Sequence, residues 1–166
     1  MVVFKREDMK GQSLIEVLLA LGAAVVIITA ITAVVTSALN NAQFSKNQNL
    51  ANQYAQQGME VVRAIRDKSS GTFFSLPGGP NFCLPQNSTE LVNRSGPDCD
   101  GEGNVGIFIR AITLKNDSDC AGAANTKVKA TVSVAWNDSK CTSAGNPFCH
   151  EVKLVSCFSQ QTVGAP

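Results

Sequence analysis

The sequence predicts an α+β fold in which one long N-terminal helix packs on a small antiparallel sheet of about three to four strands. Two observations predict it. An uncharged apolar run, Val17–Leu39, continues without proline into an amphipathic stretch, and the strand-like runs all follow in the second half of the chain. Strands that follow a helix, rather than alternate with helices, are typical of an α+β domain.

The chain has 166 residues, 14 of them basic and 13 acidic. This length suits one modest domain together with a membrane anchor. The two charges nearly balance, so the sequence indicates no nucleic-acid partner.

The first part of the helix has the length and flanking charges of a membrane span. The apolar run is 23 residues long, which corresponds to about 34 Å of helix and is enough to cross a bilayer core. The preceding basic residues are Lys5, Arg6 and Lys10. The positive-inside rule therefore predicts that residues 1–11 lie in the cytoplasm and that the rest is outside.

The helix is expected to continue to about Asp67. Residues 40–68 contain no proline and one glycine, and their apolar positions recur at spacings near three and four, as in one helical stripe. The stripe consists of Phe44, Ala51, Tyr54, Ala55, Gly58, Val62 and Ile65. We therefore predict one helix from about Gln12, with a membrane and assembly half (12–39) and an amphipathic half (40–68).

Residues 69–166 are expected to form the head domain. Glycine and proline in residues 69–80 end the helix, and residues 81–104 have the composition of an irregular loop. Three strand-like runs follow, at 105–115, 126–136 and 148–158. Loops of about ten residues join them, which favours an antiparallel meander whose apolar face covers the helix stripe.

All six cysteines lie in the head: Cys83, Cys99, Cys120, Cys141, Cys149 and Cys157. An even number in a loop-rich region predicts disulfides formed in an oxidising compartment. Zinc fits less well, because there is no C-x-x-C pair. The order of the strands favours three bridges, Cys83–Cys99, Cys120–Cys157 and Cys141–Cys149, out of the 15 pairings that six cysteines allow.

Glu16 stands at the edge of the apolar run, where an unpaired carboxylate is costly. Three interpretations of the N-terminus compete. A secretory signal peptide usually has a shorter apolar core, and a generic signal anchor gives Glu16 no role. The third is a leader that is cut before the apolar run, which would then begin the mature chain.

A resemblance to a known protein family supports the third interpretation. Lys10-Gly11 followed by Gln12-Ser13-Leu14-Ile15-Glu16 resembles the prepilin leader of type IV pilins and type II secretion pseudopilins. The resemblance implies a type IV pilin-like fold, removal of residues 1–11 by prepilin peptidase after Gly11, and N-methylation of Gln12. The chain departs from the family pattern at Gln12, where phenylalanine is usual.

The same resemblance implies a role and a location. In the family, the glutamate that matches Glu16 is thought to pair with the amino terminus of a neighbouring subunit. The chain would then be a non-catalytic subunit of a pilus or pseudopilus. Its partners would be the prepilin peptidase/methyltransferase and other subunits of its own or another kind. It would reside in the bacterial inner membrane before entering an extracytoplasmic filament.

Two other patterns received weaker interpretations. Asp98, Asp100 and Glu102 match the start of a calcium loop, but Ile109 occupies the position of its bidentate glutamate. We therefore expect no metal or other cofactor, with calcium at these three residues as the alternative. His150 has no acid or serine at a motif spacing and is expected to be an ordinary sheet residue.

Two functions from other classes stay open. One is a membrane-anchored extracytoplasmic binding or adhesion domain that does not polymerise, and the other is a secreted hydrolase held by an anchor. Within the pilin interpretation, major pilin, minor pilin and pseudopilin also remain open, as do motility, adhesion, DNA uptake and secretion.

Overall fold

The computed structural model describes residues 10–78, 81–93, 99, 104–122, 126–138, 141 and 148–160, with side chains from residue 14 onward. A helix of 59 residues, α1 (Lys10–Lys68), is followed by a four-residue helix, α2 (Ser70–Phe73), and by strands. The chain divides into two compact units, one ending at Lys46 and the other beginning at Asn47. The predicted helix bounds, about Gln12 and Asp67, agree with α1 to within two residues.

The first unit is helical over all of its described length, from Lys10 to Lys46. Its threonine hydroxyls are satisfied inside the helix. Thr29, Thr32 and Thr36 each donate a hydrogen bond to the carbonyl four residues earlier, at 2.8–3.0 Å. A hydroxyl that bonds its own helix backbone can enter an apolar environment without losing a partner, so these threonines are compatible with lipid or with another helix.

The second unit is a helix packed on an antiparallel sheet. Among the residues that the structure describes, the sheet has six strands, where the sequence predicted about three to four. The strands are β1 (Phe82–Cys83), β2 (Val92–Asn93), β3 (Asn104–Val105), β4 (Phe108–Lys115), β5 (Lys127–Trp136) and β6 (His150–Ser159). The order is β2-β1-β4-β5-β6, with β3 also paired to β4. The three long strands form the expected meander.

The additional strands are two residues each and arise where the sequence predicted a loop or one continuous strand. β1 and β2 lie within the loop predicted at 81–104. The run predicted at 105–115 is divided by a two-residue turn, Gly106–Ile107, because Val105 pairs with Phe108. Gly106 has a φ of +64°, a value that glycine adopts without steric cost and that two-residue hairpins require.

The core lies between the helix stripe and one face of the sheet. On β5 the predicted inward residues are all at most 2% exposed: Val128, Ala130, Val132, Val134 and Trp136. Ala51, Ala55 and Val62 from the predicted stripe are equally buried, and so is Met59, which the stripe omitted. Phe44 belongs to the first unit and is 38% exposed.

Aromatic side chains fill the rest of this layer. The Tyr54 ring meets Phe108 edge-on at 5.3 Å between centroids, and Phe108 in turn contacts Trp136 at 5.7 Å. Phe73 of α2 packs edge-on against Phe158 at 5.6 Å. The glycine-containing segment after α1 thus ends the long helix, as predicted, and also contributes core residues, which the sequence did not reveal.

Gly58 allows the helix to approach the sheet closely. A Cβ atom at this position would lie 2.8 Å from Cγ1 of Val132 and 3.2 Å from Cδ of Arg110. The first distance is shorter than van der Waals contact permits, so the single glycine of the amphipathic half leaves the space that the Val132 and Arg110 side chains occupy.

Candidate functional site

The apolar part of α1 is uncovered within the chain. The large apolar side chains from Leu14 to Leu39 are each at least half exposed. Exposed apolar surface of this extent on a monomer marks a contact with lipid or with another protein. The helix needs a partner that the described part of this chain does not supply.

By length and composition, the helix can cross a membrane. The described residues contain one candidate membrane span, within Leu14–Lys68 and near the N-terminus. None of its most apolar stretch is buried. Every backbone group inside such a helix is hydrogen-bonded within the segment, as a bilayer requires. The helix is therefore compatible with single-pass anchoring of the chain.

Glu16 lies exposed on α1 at the edge of this surface. Among the described residues, no ion pair or hydrogen bond involves its carboxylate. Gly11 and Gln12 belong to the first turns of α1, although their side chains lie outside the described set. Gln12 precedes Glu16 by four residues, so the two lie on the same face of the helix about 6 Å apart along its axis.

Three disulfides hold the head together. They join Cys83 to Cys99, Cys120 to Cys157 and Cys141 to Cys149. These are the pairs that the strand order favours in the sequence. The bridges differ in burial. Both cysteines of Cys83–Cys99 are buried, one cysteine of Cys120–Cys157 is buried, and neither cysteine of Cys141–Cys149 is.

Arg110 of β4 is a cation buried in the head, only 3% exposed. Its guanidinium donates hydrogen bonds to the carbonyl oxygens of Leu84, Tyr54 and Pro85, at 3.1, 3.3 and 2.9 Å. Burial lowers the pKa of Arg110, but an arginine stays protonated. The side chain therefore joins β4, the segment after β1 and the helix through backbone oxygens.

An ion-pair cluster lies on the outer face of the sheet. The Lys129 ammonium is 2.9 Å from Asp117 and 3.1 Å from Asp119. The backbone N–H of Asp119 donates to the Asp117 carboxylate, and this bond, together with the one from Lys129, lowers the pKa of Asp117. Hydrogen bonds to the two carboxylates raise the pKa of Lys129.

A second polar cluster was missed in the sequence. His150 Nε2 lies 3.0 Å from Asp138 Oδ2, and the His150 ring stacks on Trp136 with centroids 5.2 Å apart. The Asp138 backbone N–H donates to Cys141 Sγ at 3.3 Å. No short sequence motif links Asp138 to His150. The contact follows from the β5–β6 hairpin, in which Trp136 pairs with His150 and Asp138 lies two residues after Trp136.

The predicted calcium ligands Asp98, Asp100 and Glu102 lie outside the described residues, as does most of the leader, residues 1–9. Their neighbour Cys99 is described, and it bonds to Cys83 rather than standing free in a loop.

No family model, no curated protein and no solved structure matches this chain.

Proposed function

We propose that this chain is the precursor of a non-catalytic subunit of a type IV pilin-like filament, either a pilus or a type II secretion pseudopilus. The observation that carries the proposal is an uncovered apolar helix with Glu16 at its edge, five residues after Gly11, joined to a disulfide-bonded head. Cleavage after Gly11 and methylation of Gln12 would mature the chain in the bacterial inner membrane.

The uncovered helix supports assembly by the following physical argument. In a membrane, lipid covers the apolar side chains. If the chain leaves the membrane, their burial must come from an equally apolar surface, and the same helix of other subunits provides one. Ala, Gly and Thr recur along the span, and such small side chains let neighbouring helices approach closely. Thr29 and Thr32 bond their own backbone and so add no unsatisfied donor to a helix bundle.

Glu16 is explained by charge pairing. Cleavage after Gly11 creates a positive amino group at Gln12, and a buried carboxylate becomes tolerable once it is paired. The amino group has two sources. Glu16 is one helical turn from Gln12 of its own chain, and side chains on a helix lean towards the N-terminus. In a filament, the amino group of an adjacent subunit provides the alternative partner, and we propose that this second pairing sets the register of assembly.

Replacing Glu16 by alanine tests this role. Glu16→Ala should leave cleavage and membrane insertion unchanged, because neither the Lys10-Gly11 pair nor the apolar run is altered, but should abolish incorporation into filaments. Glu60→Ala is the matched control, since Glu60 is an exposed glutamate of the same helix that pairs only with Arg63 in the described ion pairs. The readout is the amount of each variant in sheared or purified filaments relative to the membrane fraction.

Co-expression of Glu16→Ala with the wild-type chain distinguishes pairing within one chain from pairing between subunits. When wild-type and Glu16→Ala chains are co-expressed, pairing between subunits predicts that the variant lowers the yield of wild-type filaments, because a variant subunit that reaches the growing end leaves its neighbour's amino group unpaired and stops growth there. Incorporation of Glu16→Ala at the wild-type level would show that Glu16 has no pairing role.

A membrane-anchored binding domain that does not polymerise is the second candidate. The observation that favours it is an open cleft of about 340 Å³ in the head, formed by the end of α1, α2 and the β1–β2 region, where apolar side chains such as Phe73 and Leu91 lie beside polar ones such as Glu90. Such a domain needs an anchor but no leader cleavage and no Glu16. A chain that keeps residues 1–11 and is never recovered in filaments would favour this function.

A further inference from the structure

The end of the β5–β6 hairpin brings four potential metal ligands together. They are the Asp138 carboxylate, the sulfurs of Cys141 and Cys149, and the His150 imidazole, and their donor atoms all lie within 4.8 Å of one another. The pairing of Trp136 with His150 fixes both flanks of the group, because Asp138 follows β5 and Cys149 immediately precedes β6.

We propose that this cluster is a zinc site that opens when the Cys141–Cys149 disulfide is reduced. The oxidised bridge keeps both sulfurs bonded to each other, and the reduced pair supplies two thiolates. With one imidazole and one carboxylate they form a four-ligand set of the kind that binds Zn²⁺ tetrahedrally. The proposal concerns the head alone and does not depend on filament assembly.

The ligand spacing suits this ion. Zinc–sulfur distances of about 2.3 Å and zinc–nitrogen or zinc–oxygen distances of about 2.0 Å place tetrahedral donors roughly 3.3–3.8 Å apart. His150 and Asp138 already approach each other to 3.0 Å. The donor atoms therefore need only small displacements, and the largest is the separation of the two sulfurs, which reduction allows.

This bridge is the one that a reductant reaches most readily. In this bridge Cys149 is exposed and Cys141 half-buried, whereas Cys83, Cys99 and Cys120 are buried and Cys157 is the one exposed cysteine of the other two bridges. Thiol–disulfide exchange requires direct attack on a sulfur atom, so access governs which bridge reacts first. Each of the other two bridges contains at least one buried cysteine.

The fold is expected to survive loss of this bridge. The bridge spans only eight residues of sequence, against 16 and 37 for the others, and a short closed loop contributes least to stability in the chain-entropy account. The ten-residue β5–β6 ladder runs from Lys127–Ser159 to Trp136–His150 and holds the two flanks of the site in register.

The chemistry balances with a dithiol as reductant. Two electrons and two protons pass from the dithiol, which becomes a disulfide, to the Cys141–Cys149 bond, which breaks to give two thiols. Zn²⁺ then displaces the two thiol protons, and neutral His150 and ionised Asp138 complete the coordination. Because ligands must be deprotonated, metal binding releases these protons to solvent. A protein with a C-x-x-C dithiol is the class of reductant that fits an accessible bridge.

The first part of the test is selective reduction. The full chain in detergent is treated with limiting tris(2-carboxyethyl)phosphine, in which the phosphine supplies the electrons and becomes its oxide with oxygen from water. Free thiols are then alkylated and mapped by mass spectrometry. We expect Cys141 and Cys149 to be labelled first while the other bridges stay intact. Earlier labelling at another bridge, or aggregation of the selectively reduced chain, would overturn the proposal.

The second part measures metal binding by that reduced chain, with Zn²⁺ and with Co²⁺ as a spectroscopic probe. We expect one Zn²⁺ per chain, protection of both thiols from alkylation, and the visible spectrum of tetrahedral thiolate-bound Co²⁺. His150→Ala and Asp138→Asn should each weaken the affinity by more than about tenfold, since even outer-shell partners typically contribute that much.

Two controls make the result specific. The double variant Cys141→Ser and Cys149→Ser should lose the bound metal, and Asp119→Asn, an acid outside the cluster, should bind as the parent chain does. Binding of less than one Zn²⁺ per chain, or equal affinity in His150→Ala, Asp138→Asn and the parent, would refute the site.

Discussion

At the residue scale, Gly58 determines how closely the helix packs on the sheet. Gly58→Ala should destabilise the head by about 1–3 kcal/mol, the usual cost of overpacking, because the new methyl group would lie 2.8 Å from Val132 Cγ1. Gly71→Ala is the matched control, as a Cβ atom there has no neighbour within 4 Å. Chemical denaturation of both variants compares them directly, and equal stability would show that the helix can move away at no cost.

Arg110 shows at the same scale why a buried charge is tolerated here. Its three hydrogen bonds go to carbonyl oxygens, including that of Tyr54 in the helix. Those bonds compensate in part for lost hydration, and hydrogen bonds to charged groups are stronger than neutral ones. The sequence placed Arg110 in a strand but gave no sign that it faces inward, since a charged residue in a strand is normally assigned to the solvent face.

The Lys129 cluster predicts how stability depends on pH. The pKa of Asp117 is lowered from 3.8, so its contribution is present above pH 3.8 and lost as the pH falls below it. The pKa of Lys129 is raised from 10.5, so its contribution is present below pH 10.5 and lost as the pH rises through the higher folded value. Between these limits both contribute.

Lys129→Met should therefore reduce stability at pH 7 and should make little difference at a pH well below 3.8, where Asp117 is protonated. The measurement is the free energy of unfolding of parent and variant across the acidic range. Lys127→Met is the control, because none of the ion pairs found in the described residues includes Lys127. A difference between Lys129→Met and the parent that stays constant down to the acid limit would contradict the assignment.

At the element scale, α1 contributes residues to both compact units, and the two parts of the helix differ in exposure. Its residues 14–46 are exposed, whereas those from Ala51 to Val62 bury their stripe against β4 and β5. Because the core of the second unit draws on residues from about Leu50 onward, it contains its own hydrophobic cluster and needs none of the apolar span.

A chain that begins at Asn47 should accordingly fold without detergent once its disulfides have formed. We expect a soluble protein with one cooperative thermal transition, followed by circular dichroism. The full chain in detergent should unfold at a similar temperature when the same signal is monitored. Aggregation of the shortened chain, or a gradual melt, would show that the first unit is needed to complete the head.

The elements also show what the sequence could predict. β5 was clear because five inward residues alternate without interruption, and α1 was clear because it contains no proline and residues 17–39 carry no charge. β1 and β2 were not, since two-residue strands carry no periodicity. Gly106 was the available sign of the β3–β4 turn, but the surrounding run of β-branched residues masked it.

The same contrast holds for the candidate site. The disulfide pairs follow from strand order, and Glu16 is conspicuous because it is a charge beside an apolar run. The Asp138–His150 contact was not visible, because it depends on which residues the β5–β6 register sets opposite each other. Pairing across a hairpin joins positions that no short sequence motif connects.

At the scale of the whole molecule, the proposal rests on two requirements of the N-terminal helix. The apolar half of α1 needs an external partner, and Glu16 at its edge needs a positive charge. Cleavage after Gly11 would supply a positive amino group, and assembly of many such helices would supply the apolar partner. Both requirements meet in a filament subunit, and an uncleaved anchor meets only the first.

The mature N-terminus tests the central claim most directly. The chain should be expressed in bacteria with and without a prepilin peptidase, and its intact mass and N-terminal peptide measured by mass spectrometry. We predict a chain that begins at Gln12 only when the peptidase is present, with a further methyl group where the enzyme also methylates. Gly11→Glu should block the cut. A chain that still begins at Met1 beside an active peptidase, or one that is cut near residue 40, would contradict the account.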